Sequence, residues 1–120
     1  MKFMLLLYVP AEVRDDPDAR ASMEDWMAYG RALTEAGAHL GDNALEGLDT
    51  ATTVRVRDGE TLITDGPFAE TKELLGGYYI LDVPDREAAV AWAAKVPNAP
   101  YGSVEVRPLM ELPAQLPAQA

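Results

Sequence analysis

Lys2-Phe3-Met4-Leu5-Leu6-Leu7-Tyr8-Val9 is apolar at nearly every position after its first, the pattern of a central strand buried on both faces. Tyr78-Tyr79-Ile80-Leu81-Asp82-Val83 repeats that pattern later in the chain. Around these two runs the rest of the fold can be placed. Arg14-Asp15-Asp16-Pro17-Asp18 reads as a helix start, with an Asp cap, Pro in the first turn and acids near the N-terminus. Met23, Trp26, Met27, Gly30, Leu33 and Thr34 follow as one stripe of an amphipathic helix, and Gly37 stands where a left-handed C-cap belongs. His39-Leu40-Gly41 begins an extended segment running loosely to Leu48. Thr53-Val54-Arg55-Val56-Arg57 alternates as a half-buried strand, Asp58-Gly59 is a hairpin turn, and Thr61-Leu62-Ile63-Thr64 returns.

Pro84-Asp85-Arg86-Glu87 opens a second helix that turns Ala89, Val90, Trp92, Ala93 and Val96 inward and stops at Pro97. Ser103-Val104-Glu105-Val106-Arg107 is the last strand. The expected fold is therefore α+β, a ferredoxin-like βαββαβ unit with an inserted β-hairpin. Residues 1–112 form the domain, and the Pro/Ala/Gln tail 113–120 is expected to lack fixed structure.

Two helices cover one sheet face only. Phe3, Leu5 and Leu7 oppose Met4, Leu6 and Tyr8, and Tyr78 and Ile80 oppose Tyr79 and Leu81, so the second face is apolar as well. Covering roughly 500 Å² of it is worth on the order of 10 kcal/mol before association costs. A face-to-face homodimer is the simplest cover, and it would close a dimeric α/β barrel.

Composition excludes several functions. Twenty acidic against ten basic residues give a formal charge of −10, which repels a phosphate backbone or an anionic membrane, so neither nucleic acid nor membrane is expected as a partner. With no cysteine there are no disulfides, thiolate metal sites or Cys nucleophiles. The single histidine, His39, and the absence of an EF-hand pattern give no expected metal site, and no dinucleotide or phosphate-loop fingerprint suggests a cofactor. The apolar run at the N-terminus is too short for a signal peptide and ends at Pro10-Ala11-Glu12, so a cytoplasmic protein is expected.

The segment Asp65-Gly66-Pro67-Phe68-Ala69-Glu70-Thr71-Lys72-Glu73 places four ionisable side chains and an aromatic ring directly after a strand. Asp65 is a candidate acid or base, or a turn-fixing carboxylate. Phe68 is a core plug or a pocket wall, and Glu70 and Lys72, two apart, share one face of an extended segment as candidate ligand contacts. His39 is the one side chain of the type that exchanges protons near neutrality, a candidate catalytic group or a structural strand residue. Arg55 and Arg57 point to one face, where they either bind a carboxylate or solubilise the hairpin. Tyr78 and Tyr79 point to opposite faces, one under a helix and one toward a ligand.

That segment, with Val54-Arg55-Val56-Arg57-Asp58-Gly59, Gly76-Gly77-Tyr78-Tyr79 and Gly102-Ser103-Val104-Glu105-Val106-Arg107-Pro108, resembles the DGPF family of the YCII-related superfamily, named for the tetrapeptide at 65–68. The likeness covers residues 1–110. It implies a ferredoxin-like dimeric α+β barrel, a bacterial cytoplasmic origin and, for some members, association with extracytoplasmic-function sigma factors. It also implies acid–base chemistry through a His on the first helix with a nearby Asp. Trp26 stands where that His is expected, and His39 lies beyond the helix. Two functions follow as expectations: a small-molecule-binding homodimer or minor enzyme with acid–base residues in a barrel pocket, or a non-enzymatic accessory protein acting on a protein partner.

Overall fold

β1 (Lys2–Pro10) is an inner strand of a four-stranded antiparallel sheet in the computed structural model, which describes residues 1–67 and 72–113. The other strands are β2 (His39–Ala44), β5 (Glu73–Asp82) and β6 (Ser103–Pro108), in the order β2-β5-β1-β6. Each helical crossover therefore skips one strand, consistent with the ferredoxin-like plan. The two all-apolar runs are the two central strands, as their composition requires.

Register sorts their side chains. Phe3 pairs with Leu81 and Leu5 with Tyr79 on one face, while Met4 pairs with Ile80 and Leu6 with Tyr78 on the other. The first set belongs to the core, with Tyr29 and Leu33 of α2 (Met23–Glu35) and Ala89 and Ala93 of α3 (Arg86–Ala94). Met4, Leu6, Tyr8, Tyr78 and Ile80 lie outside that core cluster and are half-buried. Helices on one face alone give a body 20 Å along its shortest axis, about one helix layer on one sheet layer.

The start of α2 differs from expectation. Asp16 accepts a hydrogen bond from Asp18 N and ties a 3₁₀ turn, Pro17–Ala19, that follows the short helix α1 (Ala11–Arg14). The long helix begins after Ser22, whose side chain accepts from Asp25 N while Asp25 accepts from Ser22 N. This reciprocal capping box satisfies two orphan N–H groups at once, more than the Asp-Pro turn offers. The buried stripe is accordingly Tyr29 and Leu33 with Trp26 half-buried, whereas Met23 and Met27 are exposed. Val90 of α3 is exposed too, because Ala89 and Ala93 take the inward positions.

β3 (Thr52–Arg57) and β4 (Glu60–Asp65) form the expected hairpin as a separate two-stranded sheet. Asp58 and Gly59 turn it, both at positive φ (51° and 78°), as a tight primed turn demands. Gly76 and Gly77 fall inside β5 rather than before it. A Cβ on Gly77 would stand 2.7 Å from the carbonyl oxygen of Asn43, so β2 can lie against β5 only because that side chain is absent. The expected tail falls outside the described residues from 114 onward.

Candidate functional site

His39 and Asp42 are three residues apart on β2, and on a regular strand they would point to opposite faces. The ladder to β5 is irregular between His39 and Gly41: His39 pairs with Leu81, Gly41 with Ile80 and Asp42 with Tyr79. Leu40 is thus the extra residue of a bulge, and the bulge turns His39 and Asp42 to the helix-covered face together. There His39 Nε2 lies 2.6 Å from Asp42 Oδ2. A carboxylate can only accept, so Nε2 carries the hydrogen of this contact. Asp42 Oδ1 has no hydrogen-bond partner among the described residues.

Tyr79, next to this pair, is fixed by rings. Its ring meets that of Tyr29 edge-on at 5.2 Å and that of His39 at 6.4 Å. Tyr29 is held in turn, because its hydroxyl donates to the carbonyl oxygen of Trp92 at 2.9 Å. The Tyr79 hydroxyl has no hydrogen-bond partner among the described residues, although the residue is only 9% exposed. Burial first, and the Asp42 charge second, push its pKa up to about 12, so it stays a neutral donor at any physiological pH.

Asp42 and Tyr79 both line a cavity of about 750 Å³ between the helix-side face of the sheet and residues 14–26. That volume suits a small molecule, in the range of roughly 300–1,000 Å³ typical of ligand pockets. Leu7, Val9, Leu74 and Trp26 give it apolar walls; Arg14 and Arg20 border it from the segment before α2. Asn98, also on the wall, is 1% exposed. Its Nδ2 donates to the carbonyl oxygens of Tyr8 (3.0 Å) and Ser103 (3.4 Å), which fixes the amide and leaves Oδ1 with no donor.

The residues proposed from sequence separate into two groups. Tyr79 lines the cavity with His39 behind it, and Tyr78 borders it while its ring sits on the opposite sheet face, where Asn43 Nδ2 donates to its hydroxyl at 2.8 Å. Asp65, Arg55 and Arg57 stand on the hairpin, which pairs with no strand of the main sheet. Asp65 is exposed, with no hydrogen bond to its carboxylate among the described residues; Arg57 donates to the Val56 carbonyl; Lys72 is exposed. Phe68 and Glu70 lie outside the described residues.

Asp42 and Asn98 escaped the sequence reading. Asp42 becomes His39's partner only through the bulge, and Asn98 sits in a loop whose burial no periodicity marks. Among the described residues no group of three His, Asp or Glu is placed to hold a metal ion, and no helix is long and apolar enough to cross a membrane.

A sequence model of the YCII-related domain matches residues 1–113. Among curated proteins the chain is similar to "Uncharacterized protein R00369" of Rhizobium meliloti (strain 1021), 44% identical over 100 residues that make up 80% of each chain.

Proposed function

We propose, for this chain, which belongs to the family of YCII-related domains, an acid–base role on a small molecule held in the cavity beside β2. The observation that carries this reading is the 2.6 Å contact of His39 with Asp42, next to the hydroxyl of the largely buried Tyr79, which lacks a hydrogen-bond partner among the described residues. Asp42 meets the cavity directly, and its Oδ1 is the proton acceptor. His39 behind it holds Oδ2 through Nε2–H and is the positioning residue of the pair. Tyr79 donates its hydroxyl to the oxygen on which negative charge develops, the arrangement needed to remove a proton next to a carbonyl. The resemblance implies an imidazole at the position of Trp26; here Trp26 walls the cavity and β2 supplies the imidazole instead. The segment at 65–68 supports assignment to the DGPF branch, with Asp65 retained as a second candidate carboxylate.

The test is deuterium exchange in D₂O. Small carbonyl compounds, neutral and anionic, are incubated with the protein and read by proton NMR. Exchange at the carbon beside the carbonyl is expected for one class of them, falling on the order of a hundredfold in Asp42→Asn, the usual scale for loss of a general base. In His39→Gln a smaller loss with an altered pH profile is expected. Exchange unaffected by either substitution would overturn the reading.

A homodimer through the open sheet face accompanies this proposal. Met4, Leu6, Tyr8, Tyr78 and Ile80 support it, since they share that face and lie outside the core cluster. Native mass spectrometry should give the mass of two chains, and a monomer at micromolar concentration would remove the dimer and its barrel.

A second reading, an accessory protein that contacts a protein partner such as a sigma factor, draws on a different region. Val54, Val56 and Ile63 are exposed on the hairpin, and Val54 pairs with Ile63 so that they share one face.

A further inference from the structure

We infer that the cavity's ligand is a small carboxylic acid with an apolar or aromatic body and one hydroxyl or amino donor. The inference rests on the reading of the cavity as the functional site and names the chemistry it would take. Three features of the lining carry it, and each specifies a different part of the ligand.

The first is Asn98. Its amide is locked by two backbone carbonyls, so the unpartnered Oδ1 is an acceptor and its complement is an O–H or N–H group. A buried acceptor left unpaired is costly; Oδ1 is closed to solvent in the free chain, so a ligand donor reaches it by a small shift of the lining and recovers that loss.

The second is the distribution of charge. Arg14 and Arg20 are two of only ten basic residues in a chain of net charge −10, and both border this cavity on the segment that precedes α2. Arg14 is engaged by Asp15 through two hydrogen bonds, at 3.0 and 3.3 Å, but the pair stands at the surface, where solvent screens it and it exchanges readily. The acids of the lining, Asp42 and Glu46, belong to β2 and the chain just after it, and Asp42 already holds His39. A carboxylate therefore finds its partners on the 14–20 side. A planar guanidinium suits it better than it suits a neutral amide.

The third is the apolar wall. Leu7, Val9, Leu74 and Trp26 line the space between the polar positions, so the ligand needs a body that gains from leaving water. A sugar does not meet that condition. The inferred class satisfies all three at once.

Calorimetry on the full chain with three probes tests it: 4-hydroxyphenylacetate, its neutral amide, and phenylacetate, which lacks the hydroxyl. The acid is expected to bind best, with the amide weaker by roughly tenfold or more and phenylacetate weaker by a smaller factor. Arg20→Gln should erase the preference for acid over amide and leave amide binding unchanged, which a merely structural arginine would not do. Asn98 also ties β1 to β6, so its substitution risks the fold, and the phenylacetate comparison replaces it. Equal binding of acid and amide would overturn the inferred class while leaving the cavity as the site. Binding of none of the three would overturn the class outright. Acid-selective binding alongside an absence of proton exchange would uphold the class and defeat the acid–base role.

Discussion

The hairpin and strand β2 invert what their sequences advertise. The hairpin and the segment after it hold a run of ionisable side chains and the most recognisable motif, yet Asp65 ends in solvent and β3–β4 pair with nothing in the main sheet. β2 reads as His-Leu-Gly-Asp-Asn-Ala, a weak and polar strand, yet it carries the one imidazole into contact with a carboxylate beside a cavity. Ionisable density marks what water will tolerate. A site needs groups brought together where water is scarce, and on β2 a single bulge residue does that.

Stability should separate the two regions most. Leu5 is fully buried in the central strand, and Leu5→Ala should cost about 2–5 kcal/mol in denaturant unfolding, the range for a deep cavity in a core. Ile63 on the hairpin is 68% exposed, and Ile63→Ala should change stability by less than about 0.5 kcal/mol. An Ile63→Ala loss comparable to that of Leu5→Ala would mean that the hairpin is covered in solution, by a second copy or another protein. Its apolar face would then be an interface, and the contrast with the sheet would dissolve.

An intermediate effect is expected in alkali, at the tyrosine beside β2. The pKa of Tyr79 is about 12 in the folded chain against about 10 for an unperturbed tyrosine, and burial raises Tyr29 also. Between those values the unfolded chain has already released the Tyr79 proton and the folded chain has not. Stability is therefore complete below pH 10 and falls as pH rises toward 12. Burial raises the Tyr8 phenol as well, so Tyr79→Phe removes one of three groups responsible and should make that fall shallower. Its main effect at neutral pH should be on exchange or binding rather than on melting temperature. An unchanged alkaline slope would mean that burial does not hold the Tyr79 phenol neutral, and it would cease to qualify as the donor of the site.

Much of the fold was legible because it rests on repeated apolar positions. The two runs at 2–9 and 78–83 give the central strands and their two faces, and Asp58-Gly59 gives the hairpin. The helix start was misplaced by local chemistry: Asp16-Pro17 and Ser22 both carry start signals, and only the capping box at Ser22 satisfies two N–H groups together. The site was half legible. His39 and Tyr79 stood out by residue type, but strand periodicity assigns residues 39 and 42 to opposite faces, so Asp42 could not be joined to His39 without the bulge. Asn98 carries no pattern at all; its importance lies in one oxygen left without a donor.

The smallest expected effect is that of Asp65→Asn, and it decides how far the inversion holds. Asp65 closes β4 opposite Thr52, and the turn beyond it is anchored by other groups: Gly66 N donates to the Ala51 carbonyl at 2.7 Å, and Thr53 Oγ1 donates to the Gly66 carbonyl at 2.8 Å. Both bonds survive the change of carboxylate to amide. Stability should move by less than about 0.5 kcal/mol, the scale of an exposed surface substitution, and deuterium exchange should match that of the unaltered chain. If exchange collapsed with the melting temperature unmoved, the carboxylate would be acting on a ligand that one chain alone cannot bring to it. A second copy would then have to carry the hairpin of one chain to the cavity of the other, and hairpin and β2 would be two halves of one site.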